Sequence, residues 1–120
     1  MSHRRRSSVA GRLGRGQRQS QAPVFAALGD ATRLSLVGKL CGGQPHSISQ
    51  LSADSKLTRQ AITKHLRVLE SAGIVHSVRV GRESMFEFDP QPIGDIKEYL
   101  ELVSEQWDQA LARLKSFVED

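Results

Sequence analysis

A mainly α fold (α+β), with one β-hairpin set among helices, is what this chain of 120 residues predicts. Three observations carry the expectation. Apolar residues recur at spacings of three and four through most of the chain, the period of a helix with one buried face. One stretch, VHSVRVGRESMFEF at residues 75 to 88, alternates instead, the period of paired strands. Boundary signals also stand where the periods change: Asp30, Ser47 and Thr58 precede helical runs, and Gly29 and Gly73 follow them. The length suits one modest core.

The elements follow in order. Residues 1 to 22 hold six arginines, no acid and almost no large apolar group, which reads as a disordered basic tail. Pro23 can open a short helix through Val24, Phe25 and Leu28, ended by Gly29. Asp30 caps a second helix in which Ala31, Leu34, Val37 and Leu40 keep helical spacing. Gly38 inside it is unfavourable by about 1 kcal/mol relative to Ala, which suggests a neighbour packed close there. CGGQP, residues 41 to 45, is a loop. Ser47-Ile-Ser-Gln50 is a capping box that starts a short helix with Ile48 and Leu51 inward.

The stretch TRQAITKHLRVLESAGIV, residues 58 to 75, predicts a helix over 59 to 72. Thr58 is its N-cap, Leu57 and Ile62 sit at staple positions, and Gly73 permits a left-handed stop from which Ile74 folds back onto Leu69. Ile62, Leu66 and Leu69 make a narrow apolar stripe. Gln60, Thr63, Lys64 and Arg67 fall in an arc of about 100° on the other side. These types suit duplex DNA: Gln pairs with adenine, Arg with guanine, Thr meets the thymine methyl, and Lys suits phosphate. A solvated face is the plain alternative. Two short helices joined by a tight turn, the second basic, make a helix-turn-helix. The hairpin that follows, bent at Gly81 with Arg82 and Glu83 at its tip, makes it winged.

The remainder, residues 90 to 120, is one long helix with Pro92 in its first turn. Ile93, Ile96, Leu100, Val103, Trp107, Ala110, Leu114 and Phe117 form an unbroken heptad seam, widened by Leu102, Leu111 and Val118. A helix of this length reaches about 39 Å, longer than a domain of this size needs, so the seam is expected to join a second copy. The dimerisation residues are Ile96, Leu100, Val103, Trp107, Leu114 and Phe117. The organisation expected is a tail at 1–22, a DNA-binding unit at 23–89 and a dimerisation helix at 90–120.

Charge and composition narrow the function. The net charge of +4 is uneven. Residues 54 to 82 carry Lys56, Arg59, Lys64, Arg67, Arg79 and Arg82 against Asp54 and Glu70, whereas residues 90 to 120 are acidic. A basic excess on predicted structure is better evidence for a nucleic-acid partner than a basic tail is. One cysteine, Cys41, excludes an internal disulfide and a multi-cysteine metal site. No apolar run approaches a membrane span, and no signal segment is evident, so a cytoplasmic chain is expected. There is no nucleophile–base arrangement, phosphate loop or metal cluster, hence no enzyme, cofactor or metal is expected.

At this point the sequence resembles the ArsR/SmtB family of winged-helix transcription regulators. LGDATRLSLVGKL at residues 28 to 40, LTRQAITKHLRVLESAGIV at 57 to 75, and the short GRE wing with its aromatic strand carry the likeness. His65 to Gly73 is its most specific part. The resemblance implies a homodimer on a double-stranded DNA operator, repression by default, and a recognition helix at 58–72 in the major groove. It places Gln60, Thr63, Lys64 and Arg67 in the major groove, Arg59 in the first turn as a phosphate contact and Arg82 on the backbone or in the minor groove, with Thr58 also counted among the DNA-binding residues. Departures matter too. Metal-sensing members carry paired cysteines in the first helix of the motif, where this chain reads HSISQLS, and no His follows residue 76. The chain is thus similar to a metal-independent subgroup, often encoded beside a START-like (SRPBCC) protein, with an effector of unassigned chemistry.

Other residues have plainer readings. Cys41 is expected as a half-buried structural thiol, the alternative being a redox sensor. His65 is expected to be packed and hydrogen-bonded, His46 and His76 to be surface groups without partners. Asp30 and Arg33 read as a cap plus a surface ion pair, with a phosphate contact from Arg33 as the other option. A winged helix used only for protein contact is a third functional reading, opposed by the polar, basic face of helix 59–72.

Overall fold

The computed structural model describes residues 15–119, with side chains described from Gln21 onward. Five helices and three strands follow in the order α1 (Arg15–Leu28), α2 (Ala31–Leu40), β1 (His46–Ser47), α3 (Ile48–Ser52), α4 (Arg59–Ser71), β2 (Val75–Val80), β3 (Glu83–Phe88) and α5 (Pro90–Glu119). The mainly helical winged helix-turn-helix is therefore present, with its hairpin and its long last helix.

Local chemistry explains most boundaries. The Asp30 carboxylate accepts from the Arg33 amide at 3.0 Å and starts α2. In α3 the capping box is complete: Ser47 Oγ accepts from the Gln50 amide, and the Gln50 side chain accepts from the Ser47 amide. Thr58 Oγ1 accepts from the Ala61 amide at 3.1 Å and starts α4. At its other end Gly73 has φ +79, its N–H reaches the Glu70 carbonyl, and the Ile74 N–H reaches the Leu69 carbonyl. That is the paired hydrogen bonding of a Schellman stop. Gly81 has φ +63 and begins a two-residue turn with Arg82 at a negative angle, the II′ pattern that suits a twisted hairpin.

The sheet has the order β1-β3-β2, all antiparallel. Val75 faces Phe88 and Val80 faces Glu83 across the hairpin. The strand β1 is too short to leave a periodic signal, and it was not expected; it pairs with Met85 and Phe86. The core gathers Val24 and Ala27 of α1, Leu36, Val37 and Leu40 of α2, Leu51 of α3, Ile62, Leu66 and Leu69 of α4, Ile74, Val75, Phe86, and Ile96 of α5.

Several expectations are corrected. α1 starts by Arg15 and runs through Pro23, so residues 15–22 are helical rather than part of a disordered tail. Pro23 forfeits one helical hydrogen bond there, and burial of Gln21, Val24 and Ala27 on one face offsets the loss. The rest of the expected tail, residues 1–14, lies outside the described residues. On α2 the inward residues are Leu36, Val37 and Leu40, while Leu34 is exposed, because the core lies one position round the helix from the stripe expected. A Cβ at Gly38 would meet open space, so no close neighbour explains that glycine. Cys41 is exposed rather than half-buried, since it caps the end of α2 on the solvent side.

Candidate nucleic-acid interface

α4 is held by its apolar stripe. Ile62, Leu66 and Leu69 are fully covered by the α2, α3, α1 and β2 elements packed on them. That leaves the opposite arc in solvent. Thr58, Arg59, Gln60, Lys64 and Arg67 are all exposed, and Thr63 is half-exposed between them. Arg82 is exposed at the turn of the hairpin. The seven residues expected from sequence thus lie on two surface features, six at the start and outer face of α4 and one at the wing tip.

Their hydrogen bonding limits what each can offer. Thr63 Oγ1 donates to the Arg59 carbonyl at 2.8 Å, so its proton is engaged within the helix and its methyl group is what faces outward. Among the described residues, Arg59, Lys64, Arg67 and Arg82 enter no salt bridge. Glu70, the acid on α4, accepts from the Ser77 hydroxyl at 3.0 Å instead of meeting these cations. The face therefore presents unneutralised positive charge beside an uncharged hydrogen-bonding amide, Gln60. Arg79 was not among the expected site residues. It is exposed on β2 beside the turn, its Nη1 3.5 Å from Ser84 Oγ, and its place between Val78 and Val80 was the available signal.

Behind the face, side chains tie α4 to its neighbours. Arg33 donates from Nε to the Ala27 carbonyl and from Nη2 to the Ala26 carbonyl at 3.4 Å, and Nη1 lies 3.3 Å from His65 Nδ1. Arginine can only donate, so His65 accepts at Nδ1. His65 is the packed, bonded histidine expected, but Arg33 forms no surface ion pair with Asp30: its guanidinium closes the end of α1 instead. The Asp30 carboxyl is held below its ordinary value, first by the Arg33 amide that donates to it; burial opposes this as the next largest effect, and the nearby Arg33 charge lowers it further. His76 and His46 also differ from expectation. His76 Nε2 sits 2.8 Å from Asp89 Oδ2, and His46 Nδ1 lies 2.8 Å from the Gln44 carbonyl. Asp89 in turn accepts from the Gln91 amide in the first turn of α5 and donates its own N–H to Ile74.

α5 is a single helix of 30 residues. Ile96 is buried and Ile93 packs on the core, and Tyr99 meets Phe25 of α1 edge to face at 6.2 Å. Beyond that the seam leaves the body: Leu100, Trp107, Leu111, Leu114 and Phe117 are exposed, Phe117 to 82%. Val103 is half-buried. Among the described residues no helix is long and apolar enough to cross a membrane, and no group of three His, Cys, Asp or Glu residues is gathered.

Comparison with known proteins agrees with this geometry. Residues 30–77 match the family model described as bacterial regulatory protein, arsR family. The uncharacterized HTH-type transcriptional regulator YuzN of Bacillus subtilis is 37% identical over 79 residues, 61% of this chain and 86% of that protein. HTH-type transcriptional regulator Rv2034 of Mycobacterium tuberculosis is 30% identical over 88 residues, 73% of this chain and 78% of its own. The solved ArsR-like transcriptional regulator from Rhodococcus sp. RHA1 superposes with a TM-score of 0.75 at 37% identity, covering 85% of this chain and 95% of the other. A helix-turn-helix with an open basic face, matched across this much of its relatives, places the chain in the ArsR family of DNA-binding transcriptional regulators.

Proposed function

We propose that the protein is a homodimeric repressor that reads an operator through helix 58–72. The observation that carries this is the exposed set Arg59, Gln60, Lys64 and Arg67, whose side chains have no partner among the described residues and are held outward by a fully covered apolar stripe. Gln60 and Arg67 meet base edges, the Thr63 methyl meets thymine, and Arg59 and Lys64 meet phosphates at the helix start and flank. Thr58 adds a hydroxyl at the N-cap. Arg82, with Arg79 beside it, reaches the backbone or the minor groove from the wing.

The dimer forms on α5. Ile96, Leu100, Val103, Trp107, Leu114 and Phe117 supply the seam, and half-sites about 34 Å apart, one turn of DNA, follow from a two-fold arrangement. Support comes from the uncovered apolar residues of α5, which a monomer leaves in water. Repression and a cytoplasmic location are carried over from the family resemblance. In this reading residues 23–89 are the DNA-binding unit, 90–120 the dimerisation helix, and the arginines before residue 15 add charge near the DNA.

Footprinting on the DNA upstream of its own gene, with affinity measured across salt, tests the reading. Each neutralised phosphate contributes about −0.9 to the slope of log affinity against log salt, so a steep negative slope is expected. A protected site with no salt dependence, or no duplex binding at all, sinks it and leaves the protein-contact reading of the winged helix.

A further inference from the structure

A cleft of about 370 Å³ opens between α1 and the back of α4. Pro23 and Ala26 of α1 and Val68 and Ser71 of α4 line it, and Arg33 of α2 lines it too. Apart from Arg33 and Ser71 the lining is apolar, and no side chain among the described residues fills the space. Arg33 gives the cleft its charge. It is half-buried, and among the described residues it enters no salt bridge. Asp30, whose charge acts on it, is engaged with the Arg33 amide instead. A guanidinium has five N–H donors. Bonds to Ala27, Ala26 and His65 occupy one each on Nε, Nη2 and Nη1. One donor on each terminal nitrogen is left, enough to hold a carboxylate. A space of this size, apolar with one convergent cation, is what a small-ligand site requires.

We propose that this α1–α4 cleft binds a small carboxylic acid with an aromatic or compact apolar body, its carboxylate on Arg33, and that occupancy weakens DNA binding. A carboxylate on the two remaining donors draws the Arg33 guanidinium off the Ala26 and Ala27 carbonyls and His65, which loosens the tie between α1 and α4. The regulatory half rests on α4 being the DNA-contacting helix; the binding site does not.

The test uses the full chain and benzoate as probe, with benzamide as its neutral isostere at matched ionic strength. Amide NMR shifts at Ala26, Ser71 and Ala72 should saturate with a Kd below about 1 mM. Benzamide should bind at least about tenfold more weakly, because it lacks the charge that Arg33 meets. Operator affinity should fall roughly 5–150-fold at saturating benzoate. Arg33→Gln should lose the benzoate response. Since Arg33 also braces α1 against α4, Ser71→Leu provides a second variant: it fills the cleft from an exposed position and should lose the response with the melting temperature kept. Equal binding of benzamide, or no saturable shift, overturns the site. Benzoate binding that leaves operator affinity unchanged overturns the coupling. A chain that binds no operator even without benzoate overturns the earlier reading alone, and the NMR titration still decides the site.

Discussion

The helices α4 and α5 are both amphipathic, and the chain treats their apolar faces differently. In α4 the stripe Ile62, Leu66 and Leu69 is covered completely by other parts of the same chain. In α5 only the first turns are covered, and Trp107 keeps 63% of its surface in water. The reason lies in geometry. α4 has 13 residues and lies against several elements, whereas α5 has 30 residues and runs about 45 Å, past the edge of the body. Burial frees the polar face of α4 for a partner of opposite charge. On α5 it is the apolar face that awaits a partner. The same periodicity thus marks a completed core in one helix and an uncovered apolar face in the other, the face on which the proposed dimer would form.

The largest expected effect breaks the second half of that contrast. Trp107→Glu should convert dimer to monomer in sedimentation and lower operator affinity by about 10²–10⁴-fold, the contribution of linking two half-site contacts. Its monomer should melt near the wild-type monomer, because Trp107 leaves the body uncovered. A dimer that persists would remove the seam as the interface. Leu66→Ala breaks the first half. It should destabilise the fold by about 2–5 kcal/mol in chemical denaturation, since the side chain is fully buried and its loss leaves a cavity. A cost near zero would mean that the stripe is not what anchors α4.

The next prediction sharpens the contrast on the polar side. Arg67→Ala or Gln60→Ala should each cost about 1–3 kcal/mol at one base pair per half-site and relax preference there. Equal weakening on every sequence tested would make them phosphate contacts. The smallest effect concerns the two carboxylates outside these faces. Asp30 is held low by the Arg33 amide, and Asp89 by the Gln91 amide first and by His76 second. A lowered folded value means that each contributes stability above the ordinary carboxylate value of 3.8 and loses it as pH falls through the folded value. Asp30→Asn keeps a capping oxygen without the charge and should flatten the acid limb of a stability–pH curve; an unchanged limb would show that Asp30 adds nothing to acid sensitivity.

What was legible from sequence follows the reach of each interaction. The limits of α4 were readable because Thr58, Gly73 and Ile74 act on groups within five positions of themselves. The basic face was readable because a covered stripe forces the opposite arc outward. The pairing of β1 with β3 was not, since two residues carry no period and their partners lie about 40 positions away. Nor was Arg33, whose three-residue spacing from Asp30 suggested an ion pair; the approach of α1 offered carbonyls in place of the carboxylate.

The sequence by itself determined that this chain forms a helix-turn-helix with a hairpin wing, that the second helix of the motif shows a basic, amide-bearing face, and that the last helix carries a heptad seam. These depend on local caps, turn glycines and the period of apolar residues. Only the tertiary structure decided that α1 continues through Pro23, that His76 joins Asp89 where β2 meets α5, and that a cleft remains between α1 and α4 with Arg33 in its lining. Each of those depends on which distant surfaces come together, because burial and long-range hydrogen bonds outweigh local preference only once the neighbours are in place.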